Sequence, residues 1–383
     1  MTHRVEALTG LRFVAAIFVL LAHAYPAVQF QANHAIVYAL HGLAGTGMVL
    51  FFTLSGYVIS ANYSAQFRTR PWRKATWNFA VARVARLYPA YAAVFVLALL
   101  LAAEKAEIDW PNLPFFIPMS QAWLPTANGR FPIYALPGYA HSWSLSVELA
   151  LYAVFPLAVL ATRFVRTRGA FLLVCLAVVT LGAAANLQLS SVCGGWQVAL
   201  GADACDWLIY RSPITHFFEF FAGMCTASAI GYLAPQKPSV FERRVGMLVG
   251  LAAIAIGGFA TYLMALSAVE RNVLLQGWSQ SLLLLAVPLL LFVVARYDGR
   301  MRTFMETRFM IWGGEISYSL YLLHPIIIEA FVKPPRLGIS VLDFLYWLTI
   351  MAAIFATCLL AASASYQIVE MPGRRLLRRL MRE

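Results

Sequence analysis

Leu11-Arg12-Phe13-Val14-Ala15-Ala16-Ile17-Phe18-Val19-Leu20-Leu21-Ala22-His23-Ala24-Tyr25-Pro26-Ala27 reads as a lipid-spanning helix that carries two ionisable side chains. Such groups are costly inside hydrocarbon, so Arg12 and His23 are functional-site candidates by position alone. They stand eleven residues apart, about three helical turns, so one face carries a cation low and an imidazole about 16 Å higher. Glu148, Tyr321 and His324 lie in other apolar runs, which predicts one polar centre shared among helices. A membrane enzyme and a proton-coupled carrier both look like this.

Outward from that run the chain is 61% hydrophobic and 12% charged over 383 residues, with a mean hydropathy of +0.72. That composition excludes an ordinary soluble domain. A span needs about 20 apolar residues, and ten runs qualify, near 11–28, 40–61, 87–103, 143–162, 170–189, 212–232, 245–267, 273–295, 310–332 and 341–365. The expected fold is therefore all-α: one polytopic membrane helix bundle of about ten spans, forming a single domain over 1–383. Placing both termini in the cytoplasm puts 23 of the 29 Lys and Arg residues inside, as the positive-inside rule asks. The net charge of +12 then describes a membrane face. Positives scattered over five loops and a tail exclude a nucleic-acid partner and leave membrane lipid.

The stretch 104–142 is apolar but short and carries Pro111, Pro114 and Pro118. With Trp110, Phe115, Phe116 and Trp123 it reads as an outer segment dipping into the interface. Cys193 and Cys205 fall in an expected outer loop, 190–211, where either a disulfide or two free thiols fits; Cys175, Cys225 and Cys358 read as packing residues. No Cys/His spacing suggests a metal site, and no P-loop or dinucleotide fingerprint is present. Gly42, Gly45 and Gly47 read as close helix packing. Arg4, Arg12, the apolar run and Ala22-His23-Ala24 also imitate a cleavable signal peptide, but the motifs below make retention of His23 the expectation.

Five motifs stand in order. They are Leu8-Thr9-Gly10-Leu11-Arg12 with His23; Phe51-Phe52-Thr53-Leu54-Ser55-Gly56-Tyr57; and Arg83-Val84-Ala85-Arg86-Leu87-Tyr88-Pro89. Then follow Trp143-Ser144-Leu145-Ser146-Val147-Glu148 with Tyr152 and Pro156, and Ile316-Ser317-Tyr318-Ser319-Leu320-Tyr321-Leu322-Leu323-His324. The tail adds Tyr366, Glu370 and Pro372. Together they resemble the acyltransferase-3 family of membrane O-acyltransferases over essentially the whole chain. The resemblance implies a ten-helix enzyme of the bacterial inner membrane. It would move an acyl group, usually acetyl, from cytosolic acyl-CoA as co-substrate to a hydroxyl, commonly of a cell-surface or exported glycan, with no bound cofactor.

The depth of the candidates agrees. His23, Glu148 and His324, counted along their runs at about 1.5 Å per residue, all come roughly 20 Å from the inner face. Acyl transfer to an alcohol needs a base, and imidazole suits it, so His23 is the expected catalytic residue, as base or as acyl acceptor. Glu148 is expected to hold the other ring nitrogen if their helices meet. The phosphates of acyl-CoA favour Arg. Arg83 and Arg86, one turn apart, can converge on them, as the family motif implies, with Arg12 at the same face; lipid headgroups are the alternative ligand. Ser55 fits either the thioester or helix packing.

His324 shares a stripe with Tyr321 and Ser317, and His141 and Ser144 lie above Glu148 on the outer side. His141, Ser144, Tyr321 and His324 are thus candidates for the acceptor or the acyl route, with packing as the alternative. His3, His34 and His41 need no special role, and His216 has no assigned one. The chain ends soon after the tenth span, so the acceptor is expected to be met by the membrane core and short outer loops. A proton-coupled transporter built on the same His, Glu and Arg residues is the rival reading; the chain shows no inverted repeat of the kind carriers use.

Overall fold

The structure, a computed structural model, describes residues 6–28, 34–104, 108–126, 130–165, 167–200, 202–233, 237–331 and 341–381. His3, Arg4, Lys105, Arg166, Lys333, Arg336 and Arg382 lie outside the described residues, as do the side chains of His34 and Arg163. The described chain is helical with no strand. The helices are α1 (Glu6–Val28), α2 (His34–Thr69), α3 (Trp72–Ala103), α4 (Trp143–Ala161), α5 (Arg168–Leu200), α6 (Ala202–Asp206) and α7 (Pro213–Leu233). They continue as α8 (Val240–Glu270), α9 (Val273–Arg296), α10 (Arg300–Met305), α11 (Arg308–Phe331), α12 (Val341–Ser365) and α13 (Met371–Leu380).

Ten of these, all but α6, α10 and α13, match the expected spans in order. Eight helices among the described residues are long and apolar enough to cross a membrane. The two that fall short, α7 and α11, carry interior polar side chains: His216 and Glu219 on α7, Ser317, Ser319 and His324 on α11. α1 packs on α2 and α11, α2 on α7 and α8, and α9 joins α8 to α5. α5, α8 and α12 turn Leu172, Leu173, Leu251, Ile254, Leu342 and Leu345 outward. An apolar exterior of that kind is solvated by lipid tails.

Helix contact in lipid rests on close packing, which small residues permit. A Cβ on Gly56 would overlap the Phe220 carbonyl of α7, and one on Gly223 the Thr53 carbonyl of α2. Gly10 and Gly314 likewise have no room for a Cβ, against Met305 and Thr9 respectively. The glycines of two motifs are therefore there for close approach. Gly42, Gly45 and Gly47 press on Thr261, Met264 and Ala15, the packing role expected of them.

Two expectations about loops, for the stretches 64–87 and 190–211, are corrected. The basic stretch 64–87 is not a loop: α2 continues to Thr69 and α3 begins at Trp72. Hydropathy marks where lipid ends, whereas helix formation continues into water when residues such as Gln66, Arg68 and Lys74 favour it. The expected loop 190–211 is also mostly helical, being the end of α5, then α6 and a π turn at Trp207–Arg211. Cys193 and Cys205 are therefore buried between helices, unbridged, with the Cys205 Sγ 4.0 Å from the Cys193 carbonyl oxygen.

The segment 108–126 and 130–142 is not a span, as expected, but a run of short 3-10 turns. Phe116 is buried while Trp110 and Ile117 are exposed. The Tyr91 hydroxyl donates to the Phe116 carbonyl (2.8 Å), and Trp123 donates to the Ser146 carbonyl (2.9 Å).

Replacing Gly56 by Ala is expected to cost about 1–3 kcal/mol through overpacking and to lower the unfolding temperature in detergent. Gly258→Ala, where nothing lies within 4 Å, should leave it unchanged. Equal unfolding temperatures for wild type and Gly56→Ala would contradict the packing.

Candidate active site

A cavity of about 740 Å³, part of it open to the outside, lies between α1, α2, α3, α4 and α11. Its walls include Arg12, Ser55, Arg83, Arg86, Ser144, Glu148 and Tyr321. Five motifs far apart in sequence thus supply one chamber. Glu148 accepts from the Ser55 hydroxyl (2.9 Å) and from the Tyr152 hydroxyl one turn along α4. Ser55 also lies 3.2 Å from the Tyr152 oxygen. Arg12 makes no hydrogen bond or ion pair with a described residue, and it feels the charges of Arg86, Glu148 and Arg83. Its guanidinium is a free cation in a mostly apolar bundle, where an anion would be strongly welcomed.

Arg83 and Arg86 sit about three turns into α3 rather than at its start, and their partners differ. Arg86 forms an ion pair with Glu370, whose side chain is fully buried and also accepts from the Ser319 hydroxyl (3.0 Å). The ring of Tyr318 faces Arg86 at 5.7 Å. Among the described residues Arg83 has no carboxylate partner; it donates to the Tyr63 hydroxyl (2.8 Å) and lies 4.8 Å from that ring, while its buried Nε lacks an acceptor. Within the Arg pair, then, Arg83 is available to a ligand and Arg86 is already engaged.

In the chamber wall the Ser144 hydroxyl donates to the Tyr321 oxygen (2.7 Å), and Tyr321 donates to the His141 carbonyl (2.8 Å). Beyond Tyr321 three imidazoles meet. The His324 ring centroid lies 5.0 Å from that of His23 and 5.4 Å from that of His141. The matched depth of His23 and His324 is therefore real. Each ring has one nitrogen on a backbone carbonyl: His23 Nδ1 on Val19 (2.8 Å), His324 Nδ1 on Tyr321 (2.7 Å) and His141 Nε2 on Leu322 (3.1 Å). A carbonyl only accepts, so that nitrogen carries the proton. His23 Nε2, His324 Nε2 and His141 Nδ1 are left with bare lone pairs, and His324 Nε2 is buried without a partner.

The expected hydrogen bond from Glu148 to His23 is not among the contacts of the described residues. Glu148 lies in the chamber instead, where it faces Ser55 and Tyr152. The carbonyl of Val19 takes the tautomer-fixing part instead.

Sequence reasoning missed two buried carboxylates. Glu370 appeared only as a tail residue, because its partner lies 284 positions away. Glu219 pairs with the unassigned His216 (2.8 Å), whose other nitrogen meets the Tyr210 carbonyl (2.7 Å) and whose ring stacks on Phe52 at 4.1 Å. The spacing of three residues on α7 was the available signal. His41 is exposed near the start of α2.

A family model described as an acyltransferase domain, that of the acyltransferase-3 family, matches residues 5–366. The chain belongs to this family. It is 27% identical to "Acyltransferase MdmB" of Streptomyces mycarofaciens over 98% of this chain and 93% of that protein. No solved structure matches it significantly. The bundle is thus a multi-pass membrane acyltransferase, and the chamber joined by five motifs is its candidate active site.

The two arginines of the pair should respond differently to substitution. Arg86→Ala strands the buried Glu370 carboxylate, a loss of about 3–5 kcal/mol, and should cost folded yield and thermal stability in detergent. Arg83→Ala should keep wild-type stability. Equal stability of both variants would contradict the assignment.

Proposed function

We propose that the enzyme takes an acetyl or other short acyl group from a cytosolic acyl-CoA and places it on a hydroxyl of a cell-surface or exported glycan, working in the inner membrane. The observation that carries this reading is the layering of the site, with free guanidinium groups below and bare imidazole nitrogens above. Along α1 the two layers are about 16 Å apart, comparable with an extended pantetheine arm. Phosphates held near Arg12 and Arg83 would place the thioester beyond Tyr321, among the histidines.

The chemistry follows from the tautomers. The acceptor hydroxyl attacks the thioester carbonyl while His23 Nε2 removes its proton, and the Val19 carbonyl stabilises the imidazolium through Nδ1–H. As the C–S bond breaks, the imidazolium returns that proton to the departing sulfur, leaving an ester, a thiol and a neutral His23. A glycan presents several hydroxyls. Those that do not react can donate to His324 Nε2 and His141 Nδ1, which otherwise have nothing to accept. Glu148, held by Ser55 and Tyr152, serves as counter-charge to Arg12 in the chamber rather than as the orienting partner of His23. Ser55 accordingly acts through Glu148.

Membranes containing the protein should transfer or hydrolyse label from acetyl-CoA. His23→Ala should lower kcat by about 10²–10⁴-fold, the worth of a general base, and His324→Ala should raise the acceptor KM more than it lowers kcat. Acetyl-CoA-independent flux with no transfer, or wild-type kcat in His23→Ala, would overturn the reading.

A further inference from the structure

The helix that follows the last span has two unlike faces. α13 is Met371-Pro372-Gly373-Arg374-Arg375-Leu376-Leu377-Arg378-Arg379-Leu380. Arg375, Leu376, Arg379 and Leu380 are exposed, whereas Arg374 and Arg378, one turn apart, are half-buried. α13 packs on α3, and Gly373 leaves no room for a Cβ against Pro89. The basic residues of α13 are thereby sorted. One pair faces outward beside exposed leucines, as a helix at a lipid surface would have it; the other is turned toward the bundle.

What Arg374 meets there is mostly positive. It lies within electrostatic reach of Arg86, Arg378, Arg83 and Glu370. Glu370 is already bound to Arg86 and Ser319, and among the described residues neither Arg83 nor Arg374 forms an ion pair with a carboxylate. Arg83 and Arg374 each bury an Nε–H with no acceptor. Buried donors without partners are rare and call for a ligand. Like charges gathered in a poorly solvated place repel unless an anion sits between them.

We propose that Arg374, with Arg83 across the Arg86–Glu370 bridge, forms a two-guanidinium clamp for a phosphate-bearing anion, and that this anion is the diphosphate of the acyl donor. The clamp extends the chamber of Arg12 toward the inner face and makes α13 part of the donor site; it rests on the reading of the donor as an acyl-CoA. Two planar forks match phosphate oxygens in pairs. Arg86, already paired with Glu370, does not compete for the ligand. An anionic lipid headgroup has the same chemistry, and the test separates the two sources.

The test uses the full-length protein in detergent and in nanodiscs with or without phosphatidylglycerol, with CoA as the binding probe. Arg374→Ala should weaken CoA binding about ten-fold, Arg374→Lys should lie between, and Arg375→Ala should bind as wild type. Turnover of acetyl-N-acetylcysteamine, a thioester without phosphates, should be the same in wild type and Arg374→Ala. Unchanged CoA affinity in Arg374→Ala, with lost dependence on phosphatidylglycerol, would assign the clamp to lipid and overturn the proposal. An equal loss with acetyl-N-acetylcysteamine would make Arg374 merely structural and overturn it too. A wild-type protein that binds no CoA would overturn the donor reading itself, and the clamp with it.

Discussion

The Glu370 carboxylate has no exposed surface, and a buried carboxylate is tolerable only with a cation and further hydrogen bonds around it. Arg86 supplies the first and Ser319 the second, which ties the turn after α12 to both α3 and α11. Neighbouring contacts gather around it. Tyr318, one residue before Ser319, faces Arg86 and donates to the Leu87 carbonyl (2.7 Å). Close by, α13 presses Gly373 onto Pro89 of α3. Arg83 of α3 and Tyr321 of α11 both line one chamber.

The upper half is arranged by a different device. Three imidazoles lie together, and none is held by a carboxylate in the described contacts. Backbone carbonyls at Val19, Tyr321 and Leu322 fix their tautomers. A carbonyl satisfies one nitrogen at little desolvation cost, whereas a carboxylate would add a charge to be buried. The negative charge of the site is kept in the lower chamber, where Glu148 and Glu370 answer the arginines. Separation of charge by layer suits a donor that is anionic at one end and carries a neutral thioester at the other.

The span pattern, the non-spanning stretch 104–142 and the common depth of His23 and His324 were legible in the sequence, since hydropathy gives position along a helix and position gives depth. Azimuth was not. Glu148 was expected to meet His23 but turns to Ser55 and Tyr152 in the chamber. Arg83 and Arg86 are indistinguishable in a motif; they part company through Glu370, a long-range partner with no local signature. Hydropathy misread the stretches 64–87 and 190–211 as loops because it reports contact with lipid rather than hydrogen bonding along the backbone. Cys193 and Cys205 went with them: placed in a loop they were candidates for a bridge, while between helices they are buried thiols.

The central claim is that one column runs from guanidinium groups at the inner side to bare imidazole nitrogens beyond Tyr321, and that the donor lies along it. An experimental structure of the protein with a non-hydrolysable thioether analogue of acetyl-CoA tests this most directly. The account predicts the phosphates against Arg83, the pantetheine arm through the chamber past Ser144 and Tyr321, and the sulfur near His23 Nε2. An analogue bound with its phosphates at the short turns of 108–126 and 130–142, or leaving the chamber empty while it occupies another site, would contradict it.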